Sequence, residues 1–124
     1  MALIPQEDEY YLKEKGFKYE IKSEDSEIHV ILKDWPFPEG YTPRTATILI
    51  RLLAGYPLSA VDMFWTIPDI KLASSGAWPE ASEHHEPHGG QTWQRWSRHY
   101  VWRAGVDNLR TFITAVAAEI NRGV

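Results

Sequence analysis

Cysteine is absent from all 124 residues. That excludes disulfides, thiolate–metal centres and any thiol nucleophile. Apolar runs long enough to cross a bilayer, ~20 residues, are also missing. The segment Met1-Ala2-Leu3-Ile4-Pro5, followed by Glu7-Asp8-Glu9, has neither the basic start nor the apolar centre of a secretory signal, so the expected location is the cytoplasm. Basic charge is in short supply, with 13 Lys and Arg against 17 Asp and Glu for a net charge of −4, which disfavours nucleic acid as a partner. What remains is an ordinary globular composition, 44% hydrophobic and 24% charged, sized for one domain over residues 1–124. Six tryptophans stand out in so short a chain, as core anchors or as an interface.

The local patterns predict an α+β fold. A short helix spans roughly Gln6 to Lys15 and stops at Gly16. Phe17 to Lys22 alternates strictly, as does Glu27 to Lys33, and Ser23-Glu24-Asp25-Ser26 between them reads as a four-residue hairpin loop. Three prolines mark Asp34 to Pro43 as a rigid loop. Ala46 to Leu53 and Val61 to Thr66 complete a four-stranded antiparallel meander, with the turn Gly55-Tyr56-Pro57 between them. Ile67 to Thr92 shows no period and reads as a long loop of the kind that carries function. No single period describes Trp93 to Arg103. Leu109, Phe112, Ile113, Val116 and Ile120 then mark a packed C-terminal helix, with Asp107 as expected N-cap and Gly123 at the C-cap.

Three groups of residues could carry chemistry. His84, His85 and His88, with Glu83 and Glu86, are metal-ligand types, but Pro87 and Gly89-Gly90 oppose the helix that would put His84 and His88 on one face. A solvated loop explains them better, and no metal or cofactor is assigned. Trp93, Trp96 and Arg98 lie in a segment dense in Trp and Arg, suited either to stacking on a ligand or to filling a core. Ser97 and His99, two apart, would share a face on a strand. Ser74 and Ser75 beside Gly76 are turn formers, or nucleophiles if a base lies near.

The ordered set Gly55-Tyr56-Pro57, Asp62-Met63-Phe64, Pro68-Asp69, Trp93-Gln94-Arg95-Trp96-Ser97-Arg98-His99 and Trp102-Arg103-Ala104-Gly105-Val106-Asp107-Asn108-Leu109 resembles the ubiquitin-conjugating enzymes. The closer likeness is to a divergent bacterial branch, the prokaryotic ubiquitin-conjugating-like family E, and it extends from about Tyr11 to Asn121. The resemblance implies the UBC-like fold, with a four-stranded meander between a short N-terminal and a C-terminal helix. It also implies partners: a ubiquitin-like protein, often with tandem ubiquitin-like units, and a ubiquitin-activating-like enzyme, usually encoded nearby with a metalloprotease.

The departures are as informative. The family's His-Pro-Asn stands here as Ile67-Pro68-Asp69, and an ionised Asp accepts hydrogen bonds where Asn would donate one to an oxyanion. The family's spacing to its catalytic Cys ends near Ala77-Trp78. Thioester chemistry is therefore impossible in this chain. One reading replaces it with an oxyester on Ser74 or Ser75, with His99 as the preferred base ahead of His84, His85 or His88. Another makes the domain a non-catalytic module, with Trp35, Phe37, Trp93, Trp96 and Arg98 as its interface. A third, outside the family, is a metal-dependent hydrolase using the His cluster.

Overall fold

In a computed structural model, residues 3–122 are described, and Gly123, the expected C-cap, lies outside them. Helix α1 (Gln6–Glu14) has three acidic residues in its first turn, where the helix dipole favours negative charge, and Lys13 in its last. Gly16 leaves the helix at φ +75°, a conformation that glycine adopts freely.

Strands β1 (Lys18–Glu24) and β2 (Glu27–Pro36) form a hairpin whose loop is shorter than expected. Glu24 pairs with Glu27, leaving only Asp25 and Ser26 in the turn, both at positive φ. That is the backbone of a tight turn whose twist matches the strands it joins. β2 also runs beyond the expected limit at Lys33. A bulge between Leu32 and Trp35, with Asp34 at φ +56°, carries the strand through Trp35 and Pro36 onto Ala46 and Thr45.

β3 (Tyr41–Thr42) pairs with β6 (Lys71–Leu72) as a small separate ribbon. β4 (Thr45–Leu52) supplies Ile48, Ile50 and Leu52 to the core. β5 (Phe64–Ile67) starts three residues later than the alternation suggested, after Met63 at φ +63°.

The largest correction lies between Ile67 and Thr92. Much of that supposed loop is a hairpin, β7 (His84–His88) and β8 (Gln91–Trp96), turning at Gly89-Gly90. The main sheet has the order β1-β2-β4-β5-β8-β7, antiparallel throughout. The four-stranded meander is present, and the hairpin extends it to six strands. Pro87 is tolerated because β7 is an edge strand.

Helix α2 (Leu109–Arg122) buries its expected stripe against one face of this sheet, with Val30, Leu32, Ile48, Ile50 and Phe64 in the same core. The N-cap is Asn108 rather than Asp107. Asn108 Oδ1 accepts the Thr111 N–H at 3.1 Å while Thr111 Oγ1 accepts the Asn108 N–H at 2.9 Å, a reciprocal cap. Asp107 instead receives the Arg103 backbone N–H and guanidinium. The opposite face of the sheet carries a second core of Leu49, Trp65 and Trp93. There the sheet curls far enough to bring β7 over β2, although three strands separate them in the hydrogen-bonding order. The rings of His29 and His88 stand 5.7 Å apart.

Candidate functional site

The two ends of β5 each hold an imidazole against a carboxylate. At its start, Asp62 Oδ2 lies 2.8 Å from His99 Nδ1, and Asp62 Oδ1 accepts the Met63 N–H. The His99 side chain is 76% exposed. With Nδ1–H directed at the carboxylate, Nε2 carries the lone pair and faces water, the orientation a general base requires. Beyond the other end, Asp69 Oδ1 lies 2.9 Å from His85 Nε2, and the His85 ring meets Trp78 edge-on at 5.6 Å. Trp78 is also covered by the Lys71 ammonium, 4.6 Å from its ring centre. Nothing local in the sequence signals that Asp62 and Asp69 would serve as imidazole partners; both pairings bridge residues far apart in the chain.

Ser74 and Ser75 occupy an exposed turn after β6, closed by the Gly76 N–H on Leu72 O and the Leu72 N–H on Ala77 O, both at 2.8 Å. The Ser75 hydroxyl oxygen accepts the Ala77 N–H within that turn at 3.2 Å. Neither of these hydrogen bonds links the serine turn to Asp62 or His99. Ser97 does not pair with His99 either. β8 ends at Trp96, and Ser97 Oγ accepts from Arg95 Nε at 2.8 Å.

The aromatic residues proposed for an interface mostly face the interior. Trp96 and Phe37 are 1% exposed, Trp93 3% and Trp35 8%. Trp96 stacks on Phe64 and donates its indole N–H to Thr66, while Trp35 stacks on Phe17. Of these, Trp35 lines open cavities, beside Phe17 and Pro36. Arg98 is committed as well, with Nε and Nη2 on the Glu80 carbonyl and Nη1 paired with Glu119. It clasps the loop before β7 to α2.

Strand alternation sends His85 to the opposite face from His84 and His88, which share a face but lie at the two ends of β7. His85 turns to Asp69, and exposed His84 lies 4.0 Å from Glu83. His88 turns inward, edge-on to Trp65 at 4.8 Å and near His29, with its Nε2 3.3 Å from Glu86 Oε1. Glu86 also receives the Trp65 indole N–H at 3.0 Å and an Arg95 guanidinium N–H at 2.6 Å. Burial works against its charge, but these donors, Arg95 foremost, outweigh burial and hold the Glu86 carboxyl below the usual carboxylate range.

Gln94 organises the segment leading from β5 to the serine turn. Fully buried, it accepts from the Thr66 hydroxyl and the Ile70 N–H and donates to the Ile70 carbonyl. Asp69 is thereby held one residue from an anchored backbone.

The family model described as prokaryotic E2 family E matches residues 4–123. The chain belongs to that family, and its α+β architecture, an antiparallel sheet with an N-terminal and a C-terminal helix, is that of an E2-like protein. No curated protein and no solved structure matches it. Among the described residues, no helix is long and apolar enough to cross a membrane.

Proposed function

We propose that this chain acts in a bacterial ubiquitin-like modification pathway as a cytoplasmic E2-like module. It binds the ubiquitin-like protein (single or tandem), or the activating enzyme that charges it, without forming a covalent bond to the modifier. Residues 1–124 act as one unit. The observation that carries this reading is the absence of any thiol from an E2-like chain. A serine would need a base within about 3 Å, or one water away, to compete with a thiolate, and the Ser75 hydroxyl's hydrogen bond is to the Ala77 N–H of its own turn.

A second reading is favoured by one specific feature, the water-facing His99 imidazole oriented by Asp62. Here a loop movement brings Ser74 or Ser75 to His99 Nε2. The serine oxygen attacks the thioester carbonyl of a charged activating enzyme, its proton passing to His99. The C–O bond forms, the C–S bond breaks, and the departing thiolate takes up the proton.

One incubation with the activating enzyme, ATP and the ubiquitin-like protein separates the two. The first reading predicts a complex in which the intact mass of this chain is unchanged. A reductant-resistant adduct, lost in Ser74→Ala or Ser75→Ala, would replace it with the second. Neither complex nor adduct would refute both.

A further inference from the structure

The curl of the main sheet assembles a donor set that no E2-like role uses. Glu27 and His29 are two residues apart on β2 and so project from the same face of the strand. His88, the last residue of β7, arrives over them from the far edge of the sheet. One ligand-type atom from each of Glu27, His29 and His88 lies within 4.8 Å of the other two. His29 Nε2 and Glu27 Oε1 are already 2.7 Å apart. A tetrahedral zinc site holds its nitrogen and oxygen ligands about 2.0–2.1 Å from the ion and hence roughly 3.3 Å from one another, so His88 moves inward by order 1 Å, Glu27 and His29 open slightly, and a water supplies the fourth ligand.

We infer that Glu27, His29 and His88 form a binding site for a divalent transition-metal ion, zinc above all. Two imidazoles and one carboxylate are borderline donors that suit zinc over magnesium or calcium. A hydrogen bond accounts for the Glu27–His29 pair alone, whereas His88 converges on it from another strand. His88 also has the support that metal-bound histidines need. Its Nε2 lies 3.3 Å from Glu86 Oε1, a carboxylate that favours the hydrogen on Nε2 and the lone pair on Nδ1, and Glu86 is itself fixed by Trp65 and Arg95.

The surroundings decide what kind of site it is. His29 and His88 border a cavity of about 20 Å³ whose walls include Ile31, Leu49 and Trp93. That volume admits one water beside an ion and no organic substrate. The site is therefore structural, a clasp between β2 and β7, and it stands whether or not the chain carries a modifier.

The test uses the full chain without an affinity tag, stripped with a chelator and titrated with Zn²⁺ by calorimetry and Co²⁺ by visible absorption. The expected result is one equivalent of zinc and the strong d–d bands of four-coordinate cobalt. His88→Gln should weaken zinc binding at least tenfold with the far-UV circular dichroism unchanged. Glu86→Gln, acting through His88, should weaken it by about 10–100-fold and shift the cobalt bands. His85→Gln, which faces Asp69, should change neither. His29 is buried, so His88→Gln keeps the test decisive if His29→Gln fails to fold. Failure to bind one equivalent, binding indifferent to His88→Gln, or binding lost in His85→Gln would each overturn the site.

Discussion

Tyr56 donates its phenolic hydrogen to Asp8 Oδ2 at 2.6 Å and accepts the backbone N–H of Leu109, also at 2.6 Å. One side chain from the Tyr-Pro turn thus ties the buried carboxylate of α1 to the first residue of α2. Burial, and then the Asp8 carboxylate, push the Tyr56 phenol well above its ordinary range, so it stays a donor at every relevant pH. Tyr56→Phe strips a hydrogen bond from each partner while keeping the ring. It should destabilise the protein by roughly 1–3 kcal/mol, read by urea denaturation, and a loss below about 0.5 kcal/mol would contradict this account of the turn.

The same contact sets a pH dependence. Burial raises the Asp8 pKa above its ordinary 3.8, the Tyr56 hydrogen bond lowers it only in part, and Glu7 raises it further. A carboxyl whose pKa rises on folding is protonated more readily in the folded state. Its contribution is therefore complete below about 3.8 and is lost as pH climbs through the raised folded value. The difference in stability between the parent and Asp8→Asn should shift against the parent as pH rises above 3.8 and then level off. A difference constant with pH would show that Asp8 is not desolvated.

Gln94 should be intolerant of apolar replacement. Gln94→Leu leaves the Ile70 N–H and carbonyl without their side-chain partner and removes the acceptor of the Thr66 hydroxyl. Because these groups are buried, the expected loss is roughly 2–4 kcal/mol. Hydrogen exchange should locate it at Ile70. Unchanged protection there would mean that Gln94 does not anchor the segment.

The α2 stripe and the meander were legible because burial on one face imposes a period, and that period survives in the sequence. The β7–β8 hairpin was not, since its outer strand, His84-His85-Glu86-Pro87-His88, is polar and on the sheet edge, where no apolar alternation is required. Gly89-Gly90, followed by Gln91 to Trp96, was the available signal for a tight hairpin. At the candidate site, the Trp and Arg residues were visible as a cluster, but their direction was not. Composition cannot distinguish Trp96 stacked on Phe64 from Trp96 open to a partner. The carboxylates of Asp62 and Asp69 were hidden for another reason: their histidines lie 37 and 16 residues away and reach them only through tertiary folding.

The choice between neighbouring Asp107 and Asn108 gives a sharper test of local reading. Asn108→Ala removes the side chain that caps α2 and should cost about 1 kcal/mol by thermal or chemical denaturation. Asp107→Ala leaves that cap in place and should instead release Arg103. If Asp107→Ala, and not Asn108→Ala, lowered the helicity of α2, the capping assignment would be wrong.

The central claim is that this E2-like fold recognises its pathway partner without a covalent bond to the modifier. The most direct measurement is calorimetric binding of the ubiquitin-like protein and of the activating enzyme, separately, to the parent chain and to the triple variant Ser74→Ala, Ser75→Ala, His99→Ala. The account predicts that at least one of the two binds, with the same affinity for parent and variant within about twofold, a difference of ~0.4 kcal/mol. Binding to neither partner, or an association that requires ATP and vanishes in the triple variant, would contradict it.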